Sequence, residues 1–299
     1  MSSSAGSRLR DSSRHQEQER QRDGFNAIDY NGGMVARYFR LWLALARFSL
    51  LRELAFRTNF LVKIFVEILW LSILLLFYNT IFAKTSEVAT WTKAEYLFFV
   101  GTYFAVGGLI ETLFLENCNQ FADLIRTGDL DFFLLKPIDE QFLISCRSID
   151  WSCAPNVLMG FGVMAFALME LGWPSFERGM LFLALLVSGC GMAYGFLISL
   201  TAASVWFMRN QSLMEMWWLF GTLMRYPREI FQGPAASVVG VIFSFAIPIM
   251  LVTNVPAQVM VRVIDPVLVA YTFAATVAVI VLSRWFFRQA LMKYRSASS

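Results

Sequence analysis

Histidine is nearly missing from this chain. His15 is the only one, in a polar N-terminal stretch, so imidazole-based metal ligation or acid–base chemistry has no residues to work with. Cysteine is sparse: Cys118, Cys146, Cys153 and Cys190 form no CxxC pair and read as free packing thiols, not as a disulfide framework or metal site. Charged residues make up only 16%, and the net charge of +3 is too small to point to nucleic acid. No GxxxxGKS/T, HExxH or GxSxG occurs. The chain therefore does not itself cradle nucleotide phosphates, carries no catalytic constellation, and binds no cofactor or metal on this reading.

Apolar residues are what the chain has in excess. They are 57% of it, with 29 Phe and 9 Trp, and the mean hydropathy is +0.55. Soluble domains sit near 45–50% apolar, so the excess points to an all-α integral membrane protein. The spacing predicts six transmembrane helices, at 60–82, 97–115, 153–171, 180–208, 238–255 and 267–287, each long enough for a hydrocarbon core of about 30 Å. Pro248, Asn254 and Pro256 make the fifth irregular, with a broken or re-entrant path that needs protein or water over its freed backbone groups. The apolar stretch Leu213–Leu223 is too short to cross and is expected at the interface or as an extension of a neighbour.

Residues 1–33 are rich in Ser, Arg, Gln and Asp and lack an apolar h-region. They read as a disordered cytoplasmic tail, not as a cleavable signal peptide. Residues 34–59 interleave Arg37, Arg40, Arg47, Arg52 and Arg57 with aromatic and aliphatic residues. An arginine costs roughly 2.5–3.5 kcal/mol at mid-membrane, so this stretch is expected as an interfacial, elbow-like helix and not as a seventh span. Sixteen basic residues beyond the tail fall on one side of the six-span layout and four on the other (Lys84, Lys93, Arg178 and Arg262). The positive-inside rule then places both termini and the 117–151 loop in the cytoplasm.

That loop, NCNQFADLIRTGDLDFFLLKPIDEQFLISCRSIDW, is the polar hinge of the chain. Phe121, Leu124 and Ile125 stand at i, i+3, i+4, giving a short helix one apolar stripe, with Asp123 and Arg126 off it. Gly128 suits the left-handed position that ends a helix, and Pro137 closes the next apolar patch. Such a stripe fits a partner's groove; it equally fits the chain's own surface or lipid headgroups. Lys63 and Glu67, one turn apart, pair or snorkel, and with Glu111 they either line a polar path or lie structurally near the span ends. Gly191 and Gly195 form a GxxxG that serves packing within the chain or a dimer face.

These residues resemble a known pattern. Gly128, Asp129, Leu130, Asp131, Leu134, Leu135, Lys136 and Pro137 are similar to the cytoplasmic loop of bacterial ATP-binding-cassette type-2 permeases. Arg225-Tyr226-Pro227 with Ile230-Phe231, then Ile247-Pro248 and Asn254-Val255-Pro256-Ala257, resemble that family's fifth-span region. The ending Tyr294-Arg295-Ser296-Ala297-Ser298 is similar to its tail, with Arg295 where serine is usual. The likeness runs from about Met34 to Ser299, so 34–299 is expected as one permease domain.

The resemblance implies a half-transporter of the bacterial inner membrane. It would pair with a second permease subunit, as homo- or heterodimer, and draw energy from separate ATPase subunits that bind ATP and magnesium. It would more often export than import. The coupling helix would then involve Phe121, Asp123, Leu124, Ile125, Arg126, Gly128, Asp129, Asp131, Lys136 and Pro137. The reading from another class is an ion-coupled secondary carrier using Glu67 and Glu111.

Overall fold

The computed structural model describes residues 34–207, 210–231, 236–262 and 265–294. The N-terminal tail with His15, Arg209, and Arg295 to Ser298 of the C-terminal motif lie outside the described residues. The chain divides into two compact units, 1–44 and 45–299. In the first, the opening turns of helix α1 (Met34–Ala55) stack Phe39 on Trp42 at 6.3 Å between ring centroids. All that follows concerns the second.

Helix α1 stops at Phe56, whose φ of −107° and ψ of 56° leave the helical region. Helix α2 (Arg57–Phe82) then runs as one long apolar rod, exposed along nearly its whole length. A two-stranded hairpin, β1 (Glu87–Val88) and β2 (Trp91–Thr92), turns the chain. Ala89 and Thr90 hold positive φ there. Thr92 starts helix α3 (Lys93–Ile110) with a capping box to Glu95, which satisfies two of the orphan N–H groups at the helix start.

Helix α3 is the core of the bundle. It lies against helix α8 (Ala154–Leu171) over most of its length. Gly160 makes this possible, because a Cβ there would sit 2.5 Å from the Ala105 nitrogen. Helix α9 (Phe176–Phe207) packs on helix α13 (Pro266–Lys293) and on helix α12 (Leu251–Val261). Gly191 faces Ile280 and Thr276, and Gly195 faces Val279 and Ser283; the small residues bring α9 close to a helix of the same chain.

Among the described residues, five helices are long and apolar enough to cross a membrane: α2, the continuous rod 93–127, α8, α9 and α13. The expected span at 238–255 is not one helix. Helix α11 (Ala236–Val241) passes into a π-helical turn at Ile242–Ala246. The helix breaks at Ile247 (φ −122°, ψ 82°) and resumes through Pro248–Met250 into α12. Residues 248–259 are buried, which is the protein cover that a broken helix at membrane depth requires.

The stretch judged too short to cross is helix α10 (Asn210–Met224). It extends about 22 Å at 1.5 Å per residue. Beyond it Glu229 bonds Trp91 Nε1 (3.0 Å) and Gln258 (2.7 Å), and Asn254 Oδ1 accepts from the Arg228 nitrogen (2.8 Å). Arg228 therefore lies toward the hairpin side of the bundle, whereas Arg225 sits at mid-depth over the Trp70 and Tyr103 rings.

Candidate functional site

The polar hinge forms a block at the end of the bundle opposite the hairpin. It begins where a π-helical turn, Glu111–Leu115, interrupts the long third rod. The Thr112 carbonyl accepts from the Asp150 nitrogen at 2.9 Å, so the rod's end is tied to the far end of the loop. Helix α4 (Glu116–Asn119) follows, and Asn117 is its anchor. The Asn117 Nδ2 donates to the Ser145 and Ser148 carbonyls at 2.8 and 2.7 Å, and its Oδ1 accepts from the Ser148 nitrogen at 3.1 Å. A buried amide with its groups satisfied locks the two loop ends together. The charged residues dominated the sequence reading, and it missed this one; an amide beside the start of the loop was the available signal.

The rest of the chain grips the same block. The Ile149 nitrogen donates to Ser49 Oγ (3.1 Å), the Trp151 nitrogen to Glu53 Oε1 (2.9 Å), and Trp151 Nε1 to the Ala46 carbonyl (3.0 Å). Lys63 pairs with Asp150 at 3.2 Å. It thus takes a partner 87 positions away instead of Glu67 one turn along, because the Thr112 bond brings Asp150 to it. On the other flank Arg284 of α13 forks onto Asp139, through Nη1 at 2.9 Å to Oδ1 and through Nη2 to Oδ2. Asp139 also caps helix α7 (Glu140–Cys146) by accepting from the Phe142 nitrogen at 3.0 Å. Burial would raise its pKa, but the Arg284 guanidinium and this cap outweigh it and hold the carboxyl below its ordinary 3.8. Burial pushes the Cys146 thiol up to about 12, so it is an inert packing group at neutral pH.

Helix α5 (Phe121–Thr127) carries the expected apolar stripe, but the stripe faces inward. Phe121 is fully buried against Phe287 of α13, with ring centroids 6.0 Å apart, and Leu124 is buried beside it. Ile125 packs half-buried on the same core. These three mount the hinge on its own bundle, one of the two surfaces that the stripe fits. An apolar stripe at this spacing is equally compatible with either surface, and here its own bundle offers the nearer one.

The outer face carries the remaining candidates. Asp123 and Arg126 pair at 3.0 Å in solvent. Gly128 ends the helix with φ 79° and ψ 1°, a left-handed position that a Cβ would strain. Asp129 accepts from Thr127 Oγ1 at 2.8 Å. Helix α6 (Leu130–Leu134) follows, with Leu130 fully buried and Asp131 in its first turn. Phe132 and Leu135 project outward, 67% and 81% exposed. Lys136 lies 4.8 Å over the Phe133 ring, whose other neighbour is Arg147 at 5.6 Å. Pro137 is exposed beyond it.

A second site lies within the bundle. A cavity of about 460 Å³ between α2, α3 and α10 brings Glu67 and Glu111 together, and runs from Asn119 and Asp150 at the hinge to Arg225. Among the described residues no group of three or more His, Cys, Asp or Glu is placed to hold a metal ion.

No curated protein is significantly similar to this chain. One family model, described as ABC-2 family transporter protein, matches residues 68–298, more than three quarters of the sequence and all of the bundle from mid-α2 onward. That match lends no support to a secondary carrier working through Glu67 and Glu111. The likeness read from the 128–137 loop and the 225–257 region lies inside the matched range, on a multi-pass bundle of apolar helices, and the chain belongs to the ABC-2 transporter family.

Proposed function

We propose that this chain is the permease subunit of an ATP-driven exporter, and that the outer face of α5 and α6 is where a separate ATPase docks. The observation that carries the reading is the exposure of Phe132 and Leu135. They stand outside the helices long enough to cross a membrane, and two large apolar side chains exposed one turn apart suit a partner's surface. Asp123, Arg126, Asp129 and Lys136 are exposed in the same loop and would supply the polar rim of such a patch.

The mounting of the patch supports the mechanism. Phe121 and Leu124 seat α5 in the core, Asn117 joins the loop ends, and Asp139–Arg284 and Asp150–Lys63 tie the block to α13 and α2. A push on Phe132 and Leu135 when the ATPase dimer closes on ATP and magnesium would reach those rods as rigid displacement. The near wholly exposed α2 provides surface for lipid and for a second permease subunit. In this reading α10 serves as the fifth crossing and 236–261 as a broken segment entering from the outer side. Six crossings, cytoplasmic termini and a bacterial inner membrane follow, with α1 lying at the interface.

Capture of the ATPase subunit that co-purifies with the wild-type chain tests the proposal. Replacing Phe132 and Leu135 together by Asp should weaken capture at least about 100-fold, since each buried side chain contributes about 1.5–3 kcal/mol. Membrane insertion and thermal stability should be unchanged. Undiminished capture would remove the docking face.

A further inference from the structure

Helix α2 stands off the bundle over its hairpin half. Of its 26 residues only Leu71 and Tyr78 are buried, and Tyr78 holds it to Tyr96 of α3 at 4.8 Å between ring centroids. Toward α8 a groove of about 700 Å³ is left open. Leu71, Leu75 and Leu76 of α2, Leu97 of α3, and Met159 and Val163 of α8 line it. Leu76 and Phe166 are exposed at its edges, so it opens sideways from the bundle. It shares no lining residue with the cavity of Glu67 and Glu111.

These lining residues lie on helices long and apolar enough to cross a membrane, where the medium beside them is hydrocarbon. An apolar gap left empty forfeits the dispersion contacts of its walls, and water finds no polar partners along them. A hydrocarbon chain fills the gap without either loss. From Leu71 to Asn79 the groove follows α2 for about 12 Å at 1.5 Å per residue. That is most of one leaflet's half of a core about 30 Å thick. Gly162 also lines the groove, and a Cβ there would meet nothing within 4 Å.

The hairpin end of the groove is different. There Lys93 Nζ donates to Asn79 Oδ1 at 2.8 Å, and both residues line the opening. A neutral amide fixes the ammonium without neutralising it, and no carboxylate pairs with Lys93 among the described residues. Lys93 begins α3 and Asn79 lies in the last turn of α2, so the cation stands where a span meets the headgroup layer. A cation at that level, above an apolar channel most of a leaflet deep, complements an anionic phospholipid: phosphate at the rim, acyl chain below it.

We propose that this groove seats one anionic phospholipid of the hairpin-side leaflet, its phosphate on Lys93 and an acyl chain between α2 and α8. The lipid completes the packing of α2 as a resident of the fold, not as cargo. The inference stands apart from the ATPase docking proposed above.

The full-length chain, in nanodiscs of equal phosphatidylglycerol and phosphatidylcholine, is released in a mass spectrometer and its retained lipids are identified by mass. One phosphatidylglycerol per chain is expected, in preference to phosphatidylcholine. Lys93→Gln should reduce that preference about tenfold, the loss of one charge-assisted contact, and Lys93→Arg should keep it. Gly162→Phe, which fills the groove from its wall, should abolish retention of either lipid. Its thermal midpoint in detergent should hold or rise, since glycine within a helix is the less favourable residue. Gly221→Phe, at an equally open position outside the groove, should leave retention unchanged. No retained lipid, equal retention of the two lipids by the wild type, an undiminished preference in Lys93→Gln, or a Gly162→Phe variant that keeps its lipid would overturn the proposal. So would a lipid-free dimer that Gly162→Phe dissociates, because a second copy of this chain would then cover the groove.

Discussion

Truncating Phe121 to alanine separates a mounting role from a docking role for the apolar stripe of α5. The ring is fully buried and meets Phe287 at 6.0 Å. Buried Phe→Ala changes cost about 3–5 kcal/mol, partly lost transfer energy and partly the cavity left behind. For a chain of this size, at about 2–4 °C per kcal/mol, the unfolding midpoint should fall by roughly 10 °C. Phe132→Ala, two-thirds exposed, should change stability by no more than about 0.5 kcal/mol, or about 2 °C. Thermal unfolding of both variants in the same detergent, with ATPase capture measured in parallel, gives two readouts with opposite rank orders. Phe121→Ala should lose stability, and Phe132→Ala should lose capture. If Phe121→Ala kept its midpoint within about 2 °C and lost the ATPase, the inward packing described here would be wrong.

Two further outcomes are expected. Asp139→Asn should loosen the hinge from α13. Because the folded carboxyl titrates below its ordinary 3.8, the wild-type pair contributes fully above about pH 4 and is lost as pH falls through the lower folded value. The stability gap between wild type and D139N should therefore be constant near neutrality and close on acidification; a gap that widened in acid would contradict the Asp139–Arg284 assignment. Sidedness is testable with an impermeant maleimide on intact cells. Cys118 is fully buried and the Cys146 thiol stays protonated, so the probes are Lys84→Cys and Lys136→Cys, both at exposed positions. Lys84→Cys should label on whole cells and Lys136→Cys only after lysis; the opposite result would invert the topology and end the coupling model.

Local chemistry carried much of this protein. Long apolar runs dictate helices because a membrane-spanning backbone must satisfy its own hydrogen bonds, and those at 57–82, 154–171, 176–207 and 266–293 are readable from composition alone. So is the end of α5, since Gly128 is the residue that tolerates φ 79° at lowest cost. Pro248 and Asn254 announced that the region after 236 would be irregular.

Tertiary structure decided what each of those parts faces. A stripe at Phe121, Leu124 and Ile125 reads the same whether it meets a partner or its own core, and only the position of Phe287 settled it. Lys63 had a carboxylate one turn away in sequence, yet pairs with Asp150 because a π-helical turn gives the Thr112 carbonyl to the loop. Nothing near α10 in sequence told where the chain goes after it; Glu229, bonded to Trp91, shows that it reaches the hairpin. Apolarity and helix propensity are properties of neighbours along the chain; which carboxylate meets which cation, and which face is left bare, depend on residues brought together from a hundred positions away.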